Sequence, residues 1–94
     1  MAAIARLSPE LGSVPAQERL LSAGCALQNM LLTAHAMGFG SGLLTGKSIY
    51  SERLRQFFQL DSTEQLLCFM AVGTVLRSKP VTSRPTRNDY TTTL

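Results

Sequence analysis

His35 is the only histidine in this 94-residue chain, Cys25 and Cys68 are the only cysteines, and no two of the three stand at a ligand or catalytic spacing. With one imidazole and no paired carboxylates on an expected helix face, neither a Ser/His/Asp arrangement nor a general acid/base pair can be assembled. A structural zinc site normally takes four ligands, and two thiols and one imidazole far apart in sequence fall short of that. Each cysteine lies inside an apolar run, so both are expected to be buried, reduced thiols of a cytoplasmic protein. His35, alone on an apolar helix, is expected to be structural and not a ligand. The glycines of "GFGSG" (residues 38–42) follow a helix where a dinucleotide fingerprint would follow a strand, and no P-loop is present. If the chain belongs to an enzyme, a cofactor supplies the reacting group.

The second chemical feature is cationic. Four of the nine basic residues, Arg77, Lys79, Arg84 and Arg87, fall in one acid-free stretch, while the whole chain carries a net charge of only +3. Such a stretch suits an anion, or it is a solvated terminus, and charge alone leaves both open. A nucleic-acid role finds little support. The stretch lacks interleaved aromatics apart from Tyr90 and contains no known binding motif.

The elements that would hold these residues read as one small domain, residues 1–94, with an arm at 77–94. A chain of this size buries only about 60 to 65% of its unfolded surface, so it is marginal alone. Its 45% hydrophobic and 16% charged residues leave more apolar surface than a compact monomer hides, which points to a partner. Residues 1–7 read as the end of a buried strand, and "SPELGSVP" (residues 8–15) as loop. Pro15 suits the first turn of a helix, Glu18 favours its positive end, and Gly38 is a natural left-handed stop after Met37.

The helix expected over residues 15–37 is about 33 Å long at 1.5 Å per residue. Leu20, Leu21, Cys25, Leu27, Met30, Leu31, Leu32 and Met37 run nearly all the way round it, which marks a central helix and not a surface one. Gln28 and Asn29 are then expected to be buried and bonded to backbone. Residues 20–44 carry no formal charge. Their polar pair, Thr33, His35 and three glycines nevertheless favour a buried soluble helix over a membrane span, and no signal peptide is visible. "GLLTG" (residues 42–46) reads as a short strand. "SERLRQFF" (residues 51–58) begins a second, amphipathic helix with Ser51 as N-cap. "LLCFMAVGTVL" (residues 66–76), apolar at odd and even positions alike, reads as a strand covered on both faces, in a sheet sandwiched by helices. The arm has no core of its own.

Taken in order, "AQERLLSAGCALQNMLLTAHAMGFGSGLLTG", the strand ending "AVGTV" and the arm "PVTSRPTRNDY" resemble the C-terminal half of the FMN-dependent nitroreductase family. The most telling pieces are "SAG.A.QN", "A..MG.GSG", "LLTG" and the Arg84-Pro85 pair. The resemblance covers nearly the whole chain. It implies an α+β fold with the long helix in the core of an intertwined homodimer, and FMN buried at the subunit interface. It also implies transfer of hydride from NAD(P)H through the flavin to nitroaromatic or quinone-like acceptors. On that resemblance Leu43, Leu44, Thr45 and Gly46 present backbone and a small face to the flavin ring, Arg84 meets the phosphate, and Arg87 is a weaker second.

Two departures stand out. Leu43 and Leu44 occupy positions where short-chain relatives often carry Trp and Arg. The family's N-terminal Arg/Ser-rich motif, which supplies most phosphate and ribityl contacts, has no counterpart in these residues. The chain by itself is therefore expected to hold FMN weakly and to show little NAD(P)H oxidation. The alternative is a non-catalytic dimerisation module that keeps the helix core without flavin.

Overall fold

The computed structural model describes residues 1–8 and 14–94, so most of the loop expected over residues 8–15 lies outside the described residues. Its elements are strand β1 (Ala2–Arg6), helix α1 (Ala16–Ala36), strand β2 (Gly40–Leu44), helix α2 (Glu52–Phe57) and strand β3 (Glu64–Gly73). Single 3-10 turns, Lys47–Tyr50 and Arg87–Asp89, precede α2 and punctuate the arm. This is the α+β arrangement expected, one long helix on a small antiparallel sheet of order β1-β3-β2.

α1 starts at Pro15, whose φ of -58° is already helical and whose missing N–H costs nothing at this position. Its 21 residues span about 32 Å. It ends in a Schellman motif: Gly38 takes φ +85°, its N–H bonds His35 O at 2.9 Å, and Phe39 N–H reaches Ala34 O at 2.9 Å. α2 begins at Ser51, whose side chain accepts from Leu54 N–H at 3.3 Å. It ends in the same motif, but with Gln59 at φ 53° in the left-handed position. Leu60 N–H then bonds Arg55 O at 2.9 Å.

β3 is the central strand. Leu66, Cys68 and Met70 alternate along it and are at most 4% exposed. They lie on the face that α1 covers, where α1 buries Leu27 and Ala34. On the opposite face Phe58 packs on Phe69 with ring centroids 6.1 Å apart, and Phe57 meets Phe58 edge to face at 5.0 Å. The entry to β3 is held by Arg55, which donates to Glu64 O at 3.2 Å and Asp61 O at 2.8 Å.

Four expectations are corrected. β3 is not covered equally on both faces: Leu66, Cys68 and Met70 are buried on the α1 face, whereas on the face that Phe58 meets Leu67 and Phe69 are half-buried and Ala71 and Gly73 exposed. β1 is a half-buried edge strand. Cys25 is exposed while Cys68 is buried, and Gln28 and Asn29 are exposed too. One cause explains the α1 residues: no described element lies against the outer side of the helix. Leu21, at 71% exposure, and Leu32, at 57%, stand on that same side.

From residue 74 onward the chain is exposed throughout and extended, as expected of the arm. It raises the radius of gyration to 16.6 Å, against about 12 Å for a compact chain of this length. Within the arm Asp89 forms a capping box with Thr86, accepting Thr86 N–H at 2.6 Å and Thr86 Oγ1 at 2.8 Å.

Among the described residues Leu66 is the most completely enclosed, at 2% exposure. Leu66→Ala is expected to cost about 2 to 5 kcal/mol, enough to unfold a marginal domain, and a urea titration followed by circular dichroism reads it. The Thr86 hydroxyl, then the Thr86 N–H, hold the Asp89 carboxyl below its ordinary 3.8. A lowered value means the turn is fully supported above the ordinary carboxyl range and loosens as pH falls through the lowered one. The Thr86 amide resonance should therefore titrate with a midpoint below 3.8. A midpoint at or above that value would contradict the capping box.

Candidate flavin-binding strip and cationic arm

The strip of residues 43–46 leaves the sheet at its edge. Leu43 pairs with Met70 and so lies on the α1 face, whereas Leu44 pairs with Phe69 and lies on the α2 face. β2 is hydrogen-bonded only to β3, so alternate residues of β2 direct their N–H and C=O groups away from the sheet. Thr45 is exposed and continues this edge. Gly46 then adopts φ +150°, a backbone region that residues with a side chain rarely enter, and its carbonyl accepts from Ile49 N–H at 3.2 Å to start the 3-10 turn.

Gly46 has open space around it. A β-carbon built there would meet nothing within 4 Å, so the backbone can be approached by a flat ligand. The strip thus combines outward amides, a bare glycine and apolar neighbours. These are features that suit the face of a planar ring whose polar edge takes backbone hydrogen bonds.

Arg84 stands on the arm, exposed, and shares no hydrogen bond or ion pair with the strip. The structure unites Leu43, Leu44, Thr45 and Gly46 by chain continuity and leaves Arg84 apart from them. Arg87 opens the 3-10 turn, and its carbonyl accepts from Thr91 Oγ1 at 2.7 Å. Asp89, the arm's one acidic side chain, is occupied by Thr86, so it neutralises neither arginine. Among the described residues no His/Cys/Asp/Glu group of metal-binding size occurs, and His35 is exposed at the end of α1. No helix among the described residues is long and apolar enough to cross a membrane.

Two features escaped the sequence reading. A groove of about 450 Å³ opens between α1 and the sheet, lined by Met30, Ala34, Met37, Phe39, Met70 and Val72. The all-round apolar pattern of α1 announced uncovered surface without placing it. The capping box was readable as Thr86-Arg-Asn-Asp89, the spacing of a helix start signal.

Residues 4–74 match the Nitroreductase family. A protein of Haemophilus influenzae named "Putative NAD(P)H nitroreductase" is 32% identical over 71 residues, covering 76% of this chain and 39% of that relative. The chain thus spans about two fifths of the relative's length. The matched residues include the end of β1, the whole of α1 with its glycine stop, the strip and β3. On that match, and with the helix, glycine turn, short strand and apolar strand meeting in space as described, the chain belongs to the nitroreductase family.

Proposed function

We propose that the chain is a segment of an FMN-dependent oxidoreductase that passes hydride from NAD(P)H to nitroaromatic or quinone-like acceptors. The observation that carries this reading is the open edge at Gly46, which lies inside the family match and has the backbone that a bound ring needs. FMN, when bound, accepts and donates the hydride. The protein's own part is to bind, orient and enclose. Leu43 and Leu44 give the strip apolar flanks, Thr45 and Gly46 give it backbone donors, and Arg84 offers a guanidinium fork for a phosphate. A backbone N–H aimed at the ring's polar edge favours negative charge there.

The working state in this reading is a homodimer. Leu21, Leu32, Met37, Leu76 and Val81 are each more than half exposed, a surplus that a second copy covers. The free thiols of Cys25 and Cys68 fit the cytoplasm, where an exposed Cys25 stays reduced. The same apolar surplus also fits a dimerisation module without flavin, and flavin retention separates the two.

Phosphate and ribityl contacts supplied elsewhere in the family are each worth about 1.5 to 3 kcal/mol, so their absence lowers affinity by several powers of ten. The 94-residue chain should therefore lose FMN on desalting. A fusion of a full-length relative's N-terminal half ahead of Met1 should keep it, as flavin absorbance per chain reports. Gly46→Val in that fusion should lower retention without dissociating the dimer. Stoichiometric FMN on the short chain would overturn the affinity argument, and loss from both proteins would favour the dimerisation module. Sedimentation at micromolar concentration should show a dimer that Leu21→Glu converts to monomer. A well-folded wild-type monomer would refute the assembly.

A further inference from the structure

The arm leaves the sheet beside one particular glycine. Gly40, the first residue of β2, pairs with Gly73, the last of β3. A β-carbon built on Gly40 would lie 2.6 Å from Val75 Cγ2, a separation that carbon atoms do not tolerate, and 3.9 Å from Val75 Cβ. Val75 therefore occupies the space that a side chain at position 40 would fill. The contact is particular to this glycine. A β-carbon at Gly42, at Gly46 or at Gly73 would meet nothing within 4 Å.

Val75 stands two residues beyond β3 and two before Arg77, the first cation of the arm. A β-branched side chain has few χ1 choices, so lodging its methyl group against the Gly40 backbone also restrains the main chain at that point.

We propose that Gly40 is a positioning residue for the arm: by having no side chain it receives the Val75 methyl, and this contact sets the course on which Arg77, Lys79, Arg84 and Arg87 leave the domain. The course of the arm is a property of the chain itself. Its effect on phosphate binding through Arg84 rests on the flavin reading above.

The test measures backbone amide order by NMR at residues 74–77 of the full chain. Wild type should show rigid values near about 0.85, and both Gly40→Ala and Val75→Ala should fall toward about 0.6 or below. The first drives the methyl out, and the second removes it. The double variant Gly40→Ala/Val75→Ala should recover, because its two β-carbons stand 3.9 Å apart, an ordinary contact. Unchanged order in Val75→Ala, or no recovery in the double variant, would overturn the proposal. Should Gly40→Ala fail to fold, those two proteins still decide it.

A second readout compares FMN with riboflavin, which lacks the phosphate, by equilibrium titration of the full chain with excess ligand, where weak binding is still read. The preference for FMN should shrink in Gly40→Ala and return in the double variant, while riboflavin affinity stays constant. Equal binding of both ligands by wild type, with the order pattern intact, would remove Arg84 from the phosphate and leave the Gly40 contact standing.

Discussion

β3 carries the fold because three separate attachments converge on it. Its two edges hydrogen-bond β1 and β2, and its alternate residues Leu66, Cys68 and Met70 enter the space beneath α1. The residue before β1 is tied in as well: the Met1 ammonium donates to Met70 O at 2.9 Å and Met70 N–H returns a bond to Met1 O at 2.8 Å. At the other end Arg55 spans the turn into the strand with two carbonyl bonds, and Arg6 meets Glu64 at 3.2 Å. Loss of β3 would leave β1 and β2 with no partner strand, and α1 without Leu66, Cys68 and Met70 beneath it.

The backbone was largely legible because its signals are local. Pro15 and Gly38 bound α1 by dihedral preference, and Ser51 starts α2 by a side-chain bond, so both helices lie where their terminal residues put them. The polar segment before Leu66 likewise marks the approach to β3. Coverage was less legible. Cys25, Gln28, Leu21 and Leu32 belong to a pattern that demands burial, yet a pattern cannot name what does the burying. The described residues provide one layer against α1, and the residues facing away from it are exposed. β3 shows the same limit, since apolar residues at both parities announce two covered faces and α2 is too short to supply the second.

The strip was readable for a different reason. Its role came from the family resemblance; the residues themselves show a glycine turn in which Gly38 ends α1, Gly40 receives Val75 and Gly46 has open surroundings. Arg84 stood out only through the order of motifs around it, because a guanidinium on an extended segment looks like any solvated charge. The contact between Gly40 and Val75 had no local sign at all. It joins residues 35 positions apart, and it depends on β2 and β3 being neighbours, which only the sheet topology establishes.

Both margins of the sheet, β1 and β2, end in unpaired backbone among the described residues. β2 reads Gly-Ser-Gly-Leu-Leu, and glycine-rich strands specify their pairing register weakly, so a foreign strand could add there in more than one alignment. What opposes strand addition at long range is the net charge of +3, concentrated in the arm. That repulsion acts over about 10 Å at 0.1 M salt and only about 3 Å at 1 M. Dilute buffers thus leave that repulsion between the margins in place, and concentrated salt removes it.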